Sequence, residues 1–214
     1  MNSSRFLAFY DAVLAIVMTI LVLSFNIPDP DSWQNIARMI PGFVCYAASF
    51  FWLGLMWISS YMAWGKVEVV SERSLFYMLV SLFFSSFFPF ATGLVGQDMN
   101  SVVAEVFYGV VVLCITVSNI ALTGSINRDH SQPVLRTLFL LPARTTVIDV
   151  LIKIVGLLLC VFVWPPAMSV CIMLAVVVLT FRLFWDTRLP HLTGKKEAVK
   201  KALAAQEDEE GSKT

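Results

Sequence analysis

Hydrophobic residues run along the chain in six long blocks separated by short polar or proline-containing stretches. A block of about 20 residues, rising about 1.5 Å each as a helix, matches the hydrocarbon thickness of a bilayer. The first block is Phe6 to Phe25, stopped by Asn26-Ile27-Pro28-Asp29-Pro30, where two prolines cannot continue a helix. The second runs from about Ile40 to Trp64 with Pro41 in its first turn, the third from about Ser74 to Val95 before Gly96, and the fourth from about Val102 to Thr123, closed by Gly124. The fifth covers about Val147 to Trp164 and the sixth about Ala167 to Trp185, with Pro165-Pro166 as the turn between them. This pattern predicts an all-α, six-span integral membrane protein. Residues 1–190 form its transmembrane domain, and residues 191–214, with a basic run followed by Glu207-Asp208-Glu209-Glu210, form a polar cytoplasmic tail.

Composition agrees with the pattern: 58% of residues are hydrophobic and only 14% charged, where a soluble domain carries about 25% charged residues. A net charge of +0 argues against a nucleic-acid partner, which calls for a basic patch. The distribution of charge is more informative. In a six-span arrangement Arg5, Lys66, Arg73, Arg128, Arg136, Arg144, Arg182, Arg188 and the tail lysines share one side, and the other side has only Arg38. Positive residues collect on the cytoplasmic side, so both termini are expected there. The opposite rim carries Asp29, Asp31 and Asp98.

Little here points to an enzyme. Cys45, Cys114, Cys160 and Cys171 fall inside predicted spans without a metal-ligand spacing, His130 and His191 fall in loops, and no metalloprotease, nucleophile-elbow or phosphate-loop pattern occurs. No metal or other cofactor is expected. Ser125 to Arg144 is expected to be a cytoplasmic loop with a short interfacial helix. Asp149 and Lys153 stand at i,i+4 at the start of the fifth span, as a neutralising pair with Lys153 snorkelling to the cytoplasmic interface.

The first block carries the most information. At about 100° per residue, Ile16, Ile20 and Leu23 fall on one narrow stripe with Thr19 beside them. Asp11 lies about 140° round the helix from Ile16. A carboxylate at the centre of a spanning helix costs about 2.5 to 3.5 kcal/mol on insertion scales, so Asp11 is expected to face neighbouring helices. Arg5 and Asp11 are six residues apart, outside the i+3 and i+4 rule, and each needs a partner elsewhere. Arg5 falls within about 20° of the stripe, so the helix must bend before Phe9 or a partner must turn the guanidinium aside. On the residues alone, the stripe reads as ordinary helix packing.

The order Arg5, three residues, Phe9-Tyr10-Asp11 resembles the opening helix of the transmembrane protein 175 family. These are endosomal and lysosomal potassium channels and their bacterial relatives, with the motif R-x-x-x-F-S-D. Pro89-Phe90-Ala91-Thr92 is similar to the family's P-F-x-T near the end of its third span, and Trp57 fits a tryptophan of its second. Tyr10 stands where the family has serine, and Ser60 where it has a histidine. The resemblance implies that Arg5, Phe9, Tyr10 and Asp11 belong to a polar network and that the chain, with one copy of the motif, forms a homotetramer whose first helices line a central pore. It further implies a narrowest ring at Ile16, further rings at Ile20 and Leu23, a contribution of Thr19 to potassium preference, and a bacterial plasma-membrane location.

A ring of apolar side chains gates by excluding water, and nearby hydroxyls replace only part of an ion's hydration shell. The function implied is therefore a potassium-selective leak channel that also passes other monovalent cations, with the lipid bilayer and further copies of itself as its partners. The T-V-G-Y-G filter of carbonyl-lined potassium channels is absent. Two alternatives stay open: a secondary transporter or exporter using Asp11 as its coupling carboxylate, although no internal repeat is visible, and a membrane scaffold without transport activity.

Overall fold

The computed structural model describes residues 3–24, 32–64, 70–129 and 133–181. The protein is all-helical across these residues. In chain order it has α1 (Ser3–Ile20), a 3-10 turn (Leu21–Ser24), α2 (Trp33–Arg38), α3 (Ile40–Trp64), α4 (Glu72–Ser86), α5 (Phe88–Gln97), α6 (Val102–Asp129), α7 (Pro133–Phe162) and α8 (Ala167–Phe181). Met1–Val176 forms one compact unit and Val177–Thr214 a second, whose described part is the end of α8. Asp29, Asp31, Lys66, His130, Arg182, Arg188, His191 and the 191–214 tail lie outside the described residues.

This is a multi-pass membrane protein. Four stretches among the described residues are long and apolar enough to cross a bilayer: Arg5–Ser24, Ile40–Tyr61, Glu72–Gln97 and Val102–Ile126. The third is not one helix. Pro89 has no N–H to offer the Ser85 carbonyl, and its ring crowds that carbonyl, so the helix must break there. Phe87 closes α4 by donating its N–H to Phe84 O at 3.2 Å, and its own carbonyl accepts Ala91 N at 3.0 Å to start α5. Just before the break, Ser85 Oγ turns back onto Ser81 O at 2.8 Å.

Three other expectations from the sequence change. Gly124 does not close the fourth span, because glycine stops a helix by taking a left-handed backbone, and no described glycine has one; α6 continues to Asp129. The expected loop and interfacial helix between the fourth and fifth spans is instead largely helix, since α7 starts at Pro133, a residue suited to a first turn, and runs without interruption to Phe162. Lys153 does not snorkel: it is 1% exposed and faces the bundle. The turn after the first span also holds a helix the pattern did not indicate, α2, whose start is capped by Ser32 Oγ accepting Asn35 N at 3.3 Å.

Helix α6 is the hub, packed against α3, α4, α5 and α7. Spaced by three, eight and three residues, Glu105, Tyr108, Thr116 and Asn119 share one of its faces. Each meets a different level of the bundle. Both Glu105 oxygens bind Ser169 at the start of α8, from its N–H at 3.0 Å and its hydroxyl at 2.7 Å. Tyr108 OH pairs with Ser49 of α3 at 2.8 Å, and Thr92 of α5 donates to the same Ser49 at 3.1 Å. Lys153 Nζ donates to Thr116 Oγ1 at 2.8 Å and to Asp149 Oδ2 at 2.5 Å, and sits 4.8 Å from the Trp52 ring. Asn119 Nδ2 donates to Ser60 of α3 at 3.3 Å. Lipid gives helices no hydrophobic reason to associate, so packing and such bonds, worth about 0.6 to 2 kcal/mol each, hold the bundle together.

Candidate functional site

Helix α1 has two unlike faces. Phe6, Tyr10, Leu14, Val17 and Leu21, spaced by three or four residues, are at most 5% exposed and pack inward. The opposite face carries Arg5, Phe9, Ile16, Thr19, Ile20 and Leu23, all exposed, with Ile16 at 57% and Leu23 at 76%. The stripe drawn from 100° steps is therefore an uncovered surface of the subunit, and Arg5 lies on it. In a 3-10 turn residues three apart eclipse one another. The change of winding at Leu21 thus stacks Leu23 over Ile20, where a continued α-helix would turn it aside by about 60°.

Thr19 Oγ1 donates its proton to Ile16 O at 2.8 Å. With the hydroxyl hydrogen directed at the backbone, the oxygen keeps its lone pairs for another partner, which suits it to a cation better than to an anion.

Asp11 turns from this stripe and is half-buried. Its Oδ1 accepts the Trp57 indole N–H at 2.7 Å, and Trp57 stacks on Tyr61 with centroids 5.8 Å apart. Tyr10 is buried edge-on against Trp64, with centroids 5.0 Å apart. Its hydroxyl faces Ser60 and Ser81, short of a well-formed bond to either. The larger side chain on α1 thus points at the smaller one on α3, and Asn119 supplies the polar partner for Ser60.

Arg5, Phe9, Ile16, Thr19, Ile20 and Leu23 are brought onto one face, while Tyr10 and Asp11 are held by α3 and α4. Sequence reasoning missed Ser81, Asn119 and Glu105. Asn119 and Glu105 were detectable in principle, since the polar residues of α6 recur with helical spacing on an otherwise apolar segment. Among the described residues no three His, Cys, Asp or Glu side chains converge as a metal site. Cys45, Cys160 and Cys171 are buried, and Cys114 is half-buried.

Comparison with known proteins bears on this geometry. The family described as endosomal/lysosomal potassium channel TMEM175 matches residues 5–89, the stretch that holds α1, the Trp57 contact and the break before α5. A potassium channel of Chryseobacterium sp. (strain P1-3) is 35% identical over 98 residues, 46% of this chain and 51% of that protein. A potassium channel of Streptomyces collinus is 28% identical over 135 residues, 59% of this chain and 66% of that protein. The match thus spans about half to two thirds of the length of these relatives. The fold is that of the crystal structure of a lysosomal potassium-selective channel TMEM175 homolog from Chamaesiphon minutus, with a TM-score of 0.70 and 19% identity over 84% of this chain and 96% of that one. That family is one of channels and not of enzymes, and over residues 5–89, with the motif on α1 and the fold in agreement, this chain is similar to the TMEM175 family.

Proposed function

We propose that the chain forms a homotetrameric, potassium-selective channel in a bacterial plasma membrane, with α1 of each copy lining a central pore. The observation that carries this reading is the uncovered stripe of Phe9, Ile16, Thr19, Ile20 and Leu23 on a membrane helix whose other face is fully packed. Closing four such faces around an axis covers them and makes stacked apolar rings at Ile16, Ile20 and Leu23. The relatives named as potassium channels support the choice of ion. Helices α7 and α8 supply the fifth and sixth spans, and an even number of spans keeps both termini on the cytoplasmic side with Arg73 and Arg128.

In such a pore Ile16 is the dewetting constriction. A small outward displacement of each α1 admits partly hydrated cations, and Thr19, its oxygen lone pairs directed away from its own proton, replaces part of their water. Potassium sheds water more readily than sodium, so selectivity follows without a carbonyl filter. The test is oligomer mass in detergent together with reversal potential under bi-ionic potassium and sodium in planar bilayers. Four copies and a potassium-favouring reversal potential are expected; a monomer or dimer that carries no current would overturn the reading.

A further inference from the structure

We propose that Gly93 of α5 sets the radius of the outer end of the conduction path, acting through Ser24 on the ring formed by Leu23. This rests on the channel reading above and names a positioning residue for it outside α1.

The contact is between backbones. A Cβ built at Gly93 would lie 2.9 Å from Ser24 O, closer than such atoms stand in folded proteins, and 3.0 Å from Ser24 Cβ, tighter than nearly all such contacts. Glycine is therefore what lets α5 approach the end of the first span. Ser24 belongs to the 3-10 turn and is held within it, its hydroxyl donating to Leu21 O at 2.7 Å. In the same turn Leu21 is fully buried while Leu23 is 76% exposed on the other side. A push on Ser24 from α5 thus moves Leu23 away from the bundle, which in the tetramer means towards the axis.

Which side yields is decided by what holds α5. Thr92, next to Gly93, is bonded to Ser49, which pairs with Tyr108. One turn earlier, Phe88 stacks on Tyr108 with centroids 5.7 Å apart and meets Trp52 at 5.2 Å. Ala91, Thr92, Gly93 and Val95 are all buried. Helix α5 is wedged in the core, whereas the 3-10 turn has one side uncovered, so the turn moves.

The same kind of substitution at another glycine facing α1 provides the control. At Gly54 of α3 a Cβ would meet only the Met18 methyl at 3.4 Å, an ordinary contact with a flexible side chain.

The experiment compares wild type, Gly93→Ala, Gly54→Ala, Ser24→Gly and Gly93→Ala/Ser24→Gly, all full-length, by unitary conductance in planar bilayers and by thermal stability of the oligomer. Gly93→Ala is expected to lower conductance by about twofold or more by narrowing a hydrophobic ring, with the potassium to sodium ratio unchanged. Gly54→Ala should match wild type. The double variant, which removes the Ser24 side chain from the contact, should recover part of the conductance. A stable Gly93→Ala oligomer with wild-type conductance overturns the proposal. If Gly93→Ala does not assemble, the double variant is compared with Ser24→Gly: lower conductance supports the proposal, and equal conductance overturns it. Ile16→Asn measured alongside separates the two levels. If it alters the current while Gly93→Ala does not, the inference alone fails; if neither does, the channel reading fails as well.

Discussion

The Trp57 indole donates to Asp11 Oδ1 at 2.7 Å, which ties α1 to α3 through a carboxylate inside the membrane region. A hydrogen bond to a charged group contributes about 1.5 to 3 kcal/mol. Trp57→Phe, which keeps an aromatic ring and removes the N–H, is expected to lower the melting temperature of the oligomer, as is Asp11→Ala, which removes the acceptor. Because both lose the same bond, the double variant should lose much less than the sum of the two. Additive losses in thermal unfolding would show that the bond does not matter for stability, and a stable Asp11 variant lacking all transport would favour a coupling role for the carboxylate.

Ile16→Asn separates a pore from a packing face. In a packed interface the amide would be buried where an alkyl group sat, at a cost of about 1 to 3 kcal/mol. In a pore it wets the constriction, so conductance should rise and discrimination among cations weaken. Current and reversal potential from one bilayer preparation decide between them, and an assembled variant with unchanged current and selectivity would remove Ile16 from the constriction.

Thr19→Val is nearly equal in volume and removes the hydroxyl that bonds Ile16 O. Assembly should be retained while the potassium to sodium permeability ratio moves towards one. The check is the bi-ionic reversal potential, and a ratio equal to wild type would deny Thr19 its part in selectivity.

Lys153 and Asp149 form an ion pair in which Lys153 is almost fully buried and Asp149 partly so. Removing one partner of a buried pair costs about 3 to 5 kcal/mol, whereas replacing both by apolar residues is often neutral. Lys153→Met alone should therefore destabilise the protein strongly, and Lys153→Met/Asp149→Leu should return most of the loss. Thermal unfolding in detergent is the measurement; a double variant no better than the single one would place the role of Lys153 in its contacts with Thr116 and Trp52.

The first four spans are legible in the sequence, because a helix crossing a bilayer must be apolar over most of its length whatever packs beside it. Their ends were harder. Gly124 looks like a stop only if a left-handed backbone is assumed, and the backbone conformation there is set by tertiary packing. The break at Phe87 follows from Pro89 alone, through its missing N–H, although the same residue also completes the P-F-x-T pattern. The two faces of α1 come from its period of 3.6, and the need of Asp11 for a partner comes from the cost of its charge. That the partner is Trp57 depends on how α1 crosses α3, which no local pattern encodes. The inward turn of Lys153 depends likewise on α6 and α3 offering it Thr116 and Trp52 at its depth.

The polar face of α6 has a consequence for biogenesis. Ser49 and Ser60 leave the ribosome before Tyr108 and Asn119, the residues whose bonds connect them to α6. Until the fourth span inserts, the first three carry hydroxyls in lipid without those partners, where an unsatisfied polar group costs several kcal/mol. A nascent chain halted after Gln97 should therefore remain sensitive to membrane proteases, and one extended past Ile126 should become resistant. Pulse-chase degradation of the two truncations would reveal whether insertion of α6 marks the point at which quality control lets the subunit pass.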